Sequence, residues 1–456
     1  MTIDPSLRTF ALETLGCKVN QYESGYFQEA LLGAGLQEVP FREKADLYVV
    51  HSCAVTAKAA YQTRQLLRRA KKLNPEAFIV VAGCNAQLEP SRFAEEGLAT
   101  HVLGTREKLN LLHWLQRQGR FHDPVVAVSD SRLYNPLAPL PVHRMLAGRA
   151  RAFVKVQDGC DAFCSYCIVP YTRGKSRSLP AEDVKAQLAP LVEAGYREVV
   201  LTGIHLGQWG KDLEPSRSLT DLLEAVVPSN ASFRLRLSSL EPMEWSRELL
   251  RWLEDRRECV CPHFHVPLQS GDARILARMR RPYTPDRYAR LILELRARFP
   301  HAALGADVLA GFPGETEARF LNTLEWVRDL PLTYLHVFPF SPRPPTPAAA
   351  MKDRPDGVEV KRRTALLREL GRIKGRAFRE SQVGRRVDVL VEGPRGPGWW
   401  KGVSENYLKV TFAAPGPLDA GSLVKVRLDG HAEDGLRGTA VAEPEGRPAA
   451  NTLFER

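Results

Sequence analysis

The stretch Phe153-Val154-Lys155-Val156-Gln157-Asp158-Gly159-Cys160-Asp161-Ala162-Phe163-Cys164-Ser165-Tyr166-Cys167 runs an apolar strand straight into a loop with three thiols. Thiolates are soft ligands that select zinc, copper(I) or iron–sulfur clusters. A structural zinc site closes a tetrahedron with four ligands. No fourth ligand is evident here, since His143 and His205 are isolated in the sequence. Three thiolates on a 4Fe-4S cluster instead leave one iron open to an outside ligand. At this point a zinc site or a purely structural cluster remains the alternative.

Downstream, the strand opens a βα series. Strands are expected at 153–157, 198–202, 233–238, 263–267, 303–309 and 334–338, with helices at 181–194, 219–226, 285–298 and 317–330 between them. Six such units predict a partial barrel with its active site at the carboxyl ends of the strands.

Upstream, three further apolar runs end in cysteine. Residues 10–15 lead into Gly16-Cys17, residues 47–50 into His51-Ser52-Cys53, and residues 78–82 into Gly83-Cys84, with helices expected at 24–35 and 57–73. This pattern predicts a parallel sheet, whose strand-end loops share one edge. Any one of these cysteines could be a small buried core residue. Three of them at strand ends argue for a second ligand trio. Cys259 and Cys261 form a lone CxC, read as core and assigned no metal.

The fold class is therefore α/β, with an N-terminal parallel βα domain at 8–119 and a linker at 120–145. A central partial (β/α)6 barrel follows at 146–378, then a small β-barrel at 382–446. The linker is rich in Pro and Arg. Ser341-Pro342-Arg343-Pro344-Pro345-Thr346-Pro347 breaks the βα pattern before a basic helix at about 357–381. Strands at 387–391, 399–403, 407–412, 423–428 and 436–441 predict the terminal barrel, an architecture common among nucleic-acid binders. Trp399, Trp400, Lys401, Tyr407 and Lys409 suit base stacking and phosphate contact.

The composition is 44% apolar and 26% charged, with a net charge of +11, over 456 residues. No apolar run approaches the ~20 residues of a membrane helix, and no secretory signal pattern opens the chain. A cytoplasmic location and no membrane partner are expected. The basic excess suits a polyanion but does not decide for one.

CxxxCxxC with an aromatic, Tyr166, before its last cysteine resembles the signature of the radical S-adenosylmethionine superfamily. Thr14-Leu15-Gly16-Cys17-Lys18-Val19-Asn20-Gln21-Tyr22-Glu23 resembles the opening motif of the methylthiotransferases, in the subgroup acting on N6-threonylcarbamoyladenosine of tRNA. Leu268-Gln269-Ser270-Gly271, Asp307-Val308-Leu309-Ala310-Gly311-Phe312-Pro313-Gly314-Glu315-Thr316 and His336-Val337-Phe338-Pro339-Phe340-Ser341 extend the likeness, which runs from about residue 8 to about 443. His51-Ser52 and Asn85 depart from the family pattern. They leave both cysteines in place and leave open whether sulfur access or potential is altered.

The resemblance implies two 4Fe-4S clusters and S-adenosylmethionine. Cys160, Cys164 and Cys167 would hold the catalytic cluster, and Cys17, Cys53 and Cys84 an auxiliary one that handles the inserted sulfur. Tyr166, Thr202, Gly203, Ser239, Gln269 and Gly311 would contact S-adenosylmethionine. One such molecule would methylate the sulfur and a second would generate the radical that takes hydrogen from C2 of the adenine. The C-terminal barrel resembles the TRAM domain. Implied partners are the tRNA anticodon stem-loop and a single-electron donor such as flavodoxin or ferredoxin, with the sulfur source unspecified. Two nearby readings are a methylthiotransferase acting on isopentenyladenosine of tRNA and one acting on a ribosomal protein aspartate. A third, of another class, is a non-catalytic zinc-stabilised RNA-binding protein.

Overall fold

A computed structural model describes residues 4, 7–117, 119–133, 136–140, 142 and 150–441. Part of the expected linker, His143, the expected start of the central domain at 146 and everything past 441 lie outside these residues. The chain forms two compact units. The first comprises Met1–Leu146, Gln157–Leu179 and Ser341–Ala350; the second comprises Ala147–Val156, Pro180–Phe340 and Met351–Arg456. The cysteine loop thus belongs to the same unit as the N-terminal sheet.

In the first unit the strands are β1 Thr9–Thr14, β2 Gln37–Glu38, β3 Leu47–Ser52, β4 Phe78–Gly83, β5 His101–Leu103 and β6 Val125–Ala127. They form one parallel sheet in the order β2-β1-β3-β4-β5-β6. β3 is buried along its whole length, as a strand covered on both faces must be. Its alternate side chains enter opposite cores: Leu47 and Val49 join Phe10, Phe27 and Val80, whereas Tyr48 and Val50 join Leu67, Ile79 and Phe93. Each such aliphatic side chain contributes about 1.5–3 kcal/mol of burial. Residues 125–127 were expected within a linker. They pair with β5 because Val125-Val126-Ala127 can extend the apolar sheet edge.

The helix α1 Lys18–Gly33 starts at Cys17, and α2 Ala57–Leu73 starts at Thr56, whose hydroxyl accepts from the Ala59 amide. α2 buries Ala60, Thr63, Leu67 and Ala70, a stripe at helical spacing. α3 Cys84–Leu88 begins with Cys84 itself.

In the second unit the N-terminal part of β7 Ala152–Asp158 pairs beside β9 Glu198–Gly203, which in turn pairs in parallel with β10 Arg234–Leu237. In the first unit the last two residues of β7 pair antiparallel with β8 Arg177–Ser178. A second parallel sheet of the second unit holds β11 His263–His265, β12 Ala303–Ala310 and β13 Tyr334–Pro339. Leu235 joins the two sheets, accepting from the Cys261 amide at 2.7 Å and donating to the Cys259 carbonyl at 2.6 Å. The CxC pair therefore serves the backbone at this seam, and both side chains are buried. β11 stops short of 267 because Pro267 offers no amide to a ladder.

The long helix Gly357–Gln382 is capped by Asp356, which accepts from the Val358 and Glu359 amides. It leads to a closed barrel of β14 Arg386–Gly396, β15 Trp399–Ser404, β16 Lys409–Ala413, β17 Leu423–Ala432 and β18 Gly435–Ala440, ordered β14-β15-β16-β18-β17. Val387, Val389, Val391, Phe412, Val426 and Leu436 fill it.

Candidate metal centres

β1, β3 and β4 are neighbours in the sheet, so the loops after them emerge side by side and bring Cys17, Cys53 and Cys84 to one edge. Gly16 sits at φ 100°, and a Cβ there would lie 2.8 Å from Cys53 Cβ and 2.9 Å from its Sγ. Only glycine permits that approach. Asn20 ties the first two loops together, its Nδ2 donating to the Leu15 carbonyl at 2.8 Å and the Ser52 carbonyl at 3.1 Å. Ser52 ties the second to the third: its hydroxyl donates to the Ala82 carbonyl and accepts from the Asn85 and Ala86 amides. Cys17 is exposed, Cys53 and Cys84 are buried, and no disulfide joins any of the eight cysteines. Burial and the neighbouring Cys84 push the Cys53 thiol up to about 12, so its thiolate calls for a cation.

Beneath this edge lies a buried charge network. Glu23 Oε2 accepts from Lys108 Nζ at 2.5 Å and lies 3.3 Å from Arg173 Nη2. Arg173 also reaches Asp158 at 2.8 Å and Asn20 Oδ1 at 2.6 Å. His51 Nε2 lies 3.1 Å from Lys108 Nζ, and His51 Nδ1 lies 2.8 Å from the Ser24 hydroxyl. An ammonium only donates, so its contact with His51 needs a neutral Nε2 as acceptor, which assigns the His51 proton to Nδ1. The departure at His51-Ser52 thus has a structural use on both residues. Burial works against the charge on Lys108, while Glu23 supports it.

The Cys160–Cys164–Cys167 trio is built locally. Gly159 turns the chain at φ 77°, where a Cβ would meet the Lys175 carbonyl oxygen at 2.0 Å. The Cys160 amide donates to the Gly174 carbonyl and the Cys167 amide to the Cys164 carbonyl, each at 3.0 Å. The Ala162 amide points to Cys160 Sγ at 3.5 Å. Ile168, next to Cys167, packs against Cys84 and Ala54, so the two cysteine loops share one unit and one apolar contact.

Among the described residues, one group of three His, Cys, Asp or Glu has its ligand atoms all within 4.8 Å of one another: His265, Asp307 and His336. Both cysteine trios are more widely spread than that. A single zinc at about 2.3 Å from each sulfur would need them about 3.8 Å apart, closer than at least one sulfur pair of each trio.

The remaining sequence-nominated residues lie in the second unit, except Tyr166 in the cysteine loop. Thr202 and Gly203 end β9, Ser239 follows β10, Gln269 follows β11 and Gly311 follows β12, all at carboxyl ends of parallel strands. Gln269 adopts φ 66° and bridges to β12. A Cβ at Gly311 would lie 2.4 Å from Val360, so glycine there also permits the close packing of the long helix.

Sequence reading missed the group around Asp307. Burial pushes this carboxyl up, but hydrogen bonds from His265 at 3.0 Å and His336 at 3.3 Å outweigh it and hold it well below the usual range. The Tyr334 hydroxyl lies between His263 and His265 at 2.8 and 3.0 Å. The signal was the register, which sets Asp307 opposite His336.

In the terminal barrel, the Tyr407 ring packs tilted against His263 at 4.4 Å with Arg236 over its ring, and Trp400 packs on the barrel core. Trp399, Lys401 and Lys409 keep outward positions. Many cations of the long helix are already paired: Arg362 and Arg363 with Glu317 and Glu359, Arg372 with Glu369.

Residues 9–104 match the Uncharacterized protein family UPF0004, and residues 154–327 match the Radical SAM superfamily. The chain is 34% identical over 429 residues to the threonylcarbamoyladenosine tRNA methylthiotransferase MtaB of Bacillus subtilis (strain 168), covering 92% of this chain and 94% of that one. It is 36% identical over 442 residues to the protein of the same name from Chlamydia pneumoniae, covering 97% and 100%. A tRNA-2-methylthio-N(6)-dimethylallyladenosine synthase of Moorella thermoacetica is 34% identical over 430 residues, covering 92% and 96%. Among solved structures, the radical S-adenosylmethionine methyltransferase TsrM of Kitasatospora setae shares the fold, with a TM-score of 0.54 at 15% identity over 75% of this chain and 77% of that one. Two cysteine trios in one unit and near full-length likeness to these relatives lead to one conclusion: the chain belongs to the radical S-adenosylmethionine methylthiotransferase family.

Proposed function

We propose that this enzyme adds a methylthio group to C2 of N6-threonylcarbamoyladenosine at position 37 of tRNA. The observation that carries this reading is the second trio, Cys17, Cys53 and Cys84, gathered at one sheet edge in the same unit as the Cys160–Cys167 loop. A radical enzyme needs only the loop; a sulfur-inserting one needs a further site. Five relatives named for threonylcarbamoyladenosine, at 34–38% identity, favour that base over the dimethylallyl one. When bound, the two 4Fe-4S clusters and S-adenosylmethionine supply reductive carbon–sulfur cleavage and the sulfur to be transferred.

The residues divide the work. Cys160, Cys164 and Cys167 hold the catalytic cluster, with Gly159 and Gly174 fixing their loop. Cys17, Cys53 and Cys84 hold the auxiliary cluster, and Asn20 and Ser52 set their spacing. Tyr166, Thr202, Gly203, Ser239, Gln269 and Gly311 bind S-adenosylmethionine. Trp399, Lys401 and Lys409 meet the anticodon stem-loop by stacking and phosphate contact. A flavodoxin or ferredoxin supplies single electrons, and the reaction belongs in the cytoplasm. No helix among the described residues is long and apolar enough to cross a membrane.

Nucleoside analysis of tRNA from a strain lacking the gene tests this. Loss of the 2-methylthio form of threonylcarbamoyladenosine, restored by the gene, is expected. Unchanged methylthio-nucleosides overturn the reading, and loss of only the dimethylallyl form moves it to the other tRNA subgroup.

A further inference from the structure

Three cations approach the Cys17–Cys53–Cys84 edge, and they differ in what neutralises them. Arg173 and Lys108 are both spoken for by carboxylates, Asp158 and Glu23. Arg343 is not. Its residue is only 8% exposed, its Nε and Nη2 are buried with no hydrogen-bond partner, and among the described residues no carboxylate lies within 4.0 Å of it. The groups that act on it electrostatically are Glu89, Cys53 and Arg64, and Glu89 pairs with Arg92 at 3.5 Å. A cation buried without a partner is costly, so the working protein must present an anion there.

The segment carrying Arg343 is fastened at both ends to cysteine loops. The Ser341 hydroxyl accepts from the amide of Ala57, just beyond Cys53, at 3.1 Å. The Ala348 amide donates to the carbonyl of Ser165, between Cys164 and Cys167, at 2.8 Å. Two more buried polar side chains of this unit also lack partners: Asn85, directly after Cys84, and Thr346, on the same segment. Two prospective anions act on Arg343: Glu89, whose Oε1 faces Arg92 and whose Oε2 is buried without a hydrogen-bond partner, and Cys53, which is buried and also feels Arg173.

We propose that Arg343 is a positioning residue whose guanidinium is the counter-ion of the anionic cluster held by Cys17, Cys53 and Cys84, and of the thiolate-class sulfur that cluster carries. This rests on the two-cluster reading above and assigns a residue to it. A fixed positive charge favours the more negative, reduced state of a cluster and the binding of an anion to its open iron.

The test uses the full chain with Cys160, Cys164 and Cys167 replaced by Ala, so that only the other trio carries iron. Arg343→Gln and Arg343→Lys are compared by redox titration followed by electron paramagnetic resonance, and by titration with methanethiolate as the probe. Arg343→Gln is expected to make reduction about tenfold harder, a fall of about 59 mV for one electron, and to weaken methanethiolate binding about tenfold. Arg343→Lys, which keeps the charge, is expected to stay near the parent in both. Unchanged potential and affinity in Arg343→Gln overturn the proposal, and so does a folded Arg343→Lys that behaves like Arg343→Gln. If Arg343→Gln takes up no iron, a loaded Arg343→Lys with the parent potential supports the charge role, and an unloaded but folded one overturns it. These readouts do not depend on tRNA, so a charge-dependent potential in a chain that makes no methylthio-nucleoside would sink the substrate reading and leave this one standing.

Discussion

Cys160, Cys164 and Cys167 come from one short loop, whereas Cys17, Cys53 and Cys84 come from three neighbouring strands. The loop trio is held by the turn at Gly159 and by local backbone bonds from Cys160 to Gly174 and from Cys167 to Cys164. The dispersed trio depends on sheet register, on Asn20 and Ser52 bridging between loops, and on the buried Glu23–Lys108–Arg173 network. One site is therefore a property of a peptide segment and the other a property of a fold. Perturbing the N-terminal core should empty the second while sparing the first.

The largest effect is expected from Glu23→Ala, which strands Lys108 in a buried setting and leaves Arg173 with the Asp158 carboxylate alone. Removing one partner of a buried ion pair costs about 3–5 kcal/mol, and denaturant unfolding should show a loss of this order. Iron at the dispersed trio should be lost with it. A change below about 1 kcal/mol would mean that the network does not support the sheet edge.

Glu198 offers a counterpart in the other unit, where Arg234 and Arg236 bracket it at 2.6 and 2.8 Å. Burial pushes its carboxyl up, but the two guanidiniums prevail and hold it at about 2. Because the folded value lies below the unfolded one, this stability is whole above about pH 4.5 and lost as the pH falls toward 2. It amounts to roughly 3 kcal/mol at neutral pH. Glu198→Gln should flatten the acid limb of a stability–pH curve while both trios keep their iron at pH 7. An unchanged acid limb would remove Glu198 from the account.

A smaller and more selective effect is expected from Asn20→Ala. Its lost bonds to Leu15, Ser52 and Arg173 cost about 1–3 kcal/mol where buried groups are left unpaired. Iron counting should show the dispersed trio weakened and the loop trio intact; equal loss at both would erase the distinction between them. Smallest is Asp356→Ala, which removes the cap of the long helix for about 1 kcal/mol. It should lower the melting temperature without changing either iron content.

The sequence was readable where a signal was local. The strand ends at Cys53 and Cys84, the CxxxCxxC loop and the basic helix fall where periodicity and turn residues placed them, the helix as Gly357–Gln382. It was unreadable where contacts join distant positions. Glu23 meets Arg173 across 150 positions of chain, and no spacing rule links them. Arg343 looked like part of a proline-rich break, and nothing in that composition says that it would be buried without a partner. Tyr407 read as the start of a strand, but it sits in a turn at φ 68° because its ring is engaged by His263 and Arg236.

Iron counting after anaerobic reconstitution of the full chain and of Cys53→Ala tests the two-centre account most directly. The account predicts about eight irons per chain for the parent and about four for Cys53→Ala, the four remaining on the Cys160–Cys167 loop. About four irons in the parent, or about eight in Cys53→Ala, would contradict it.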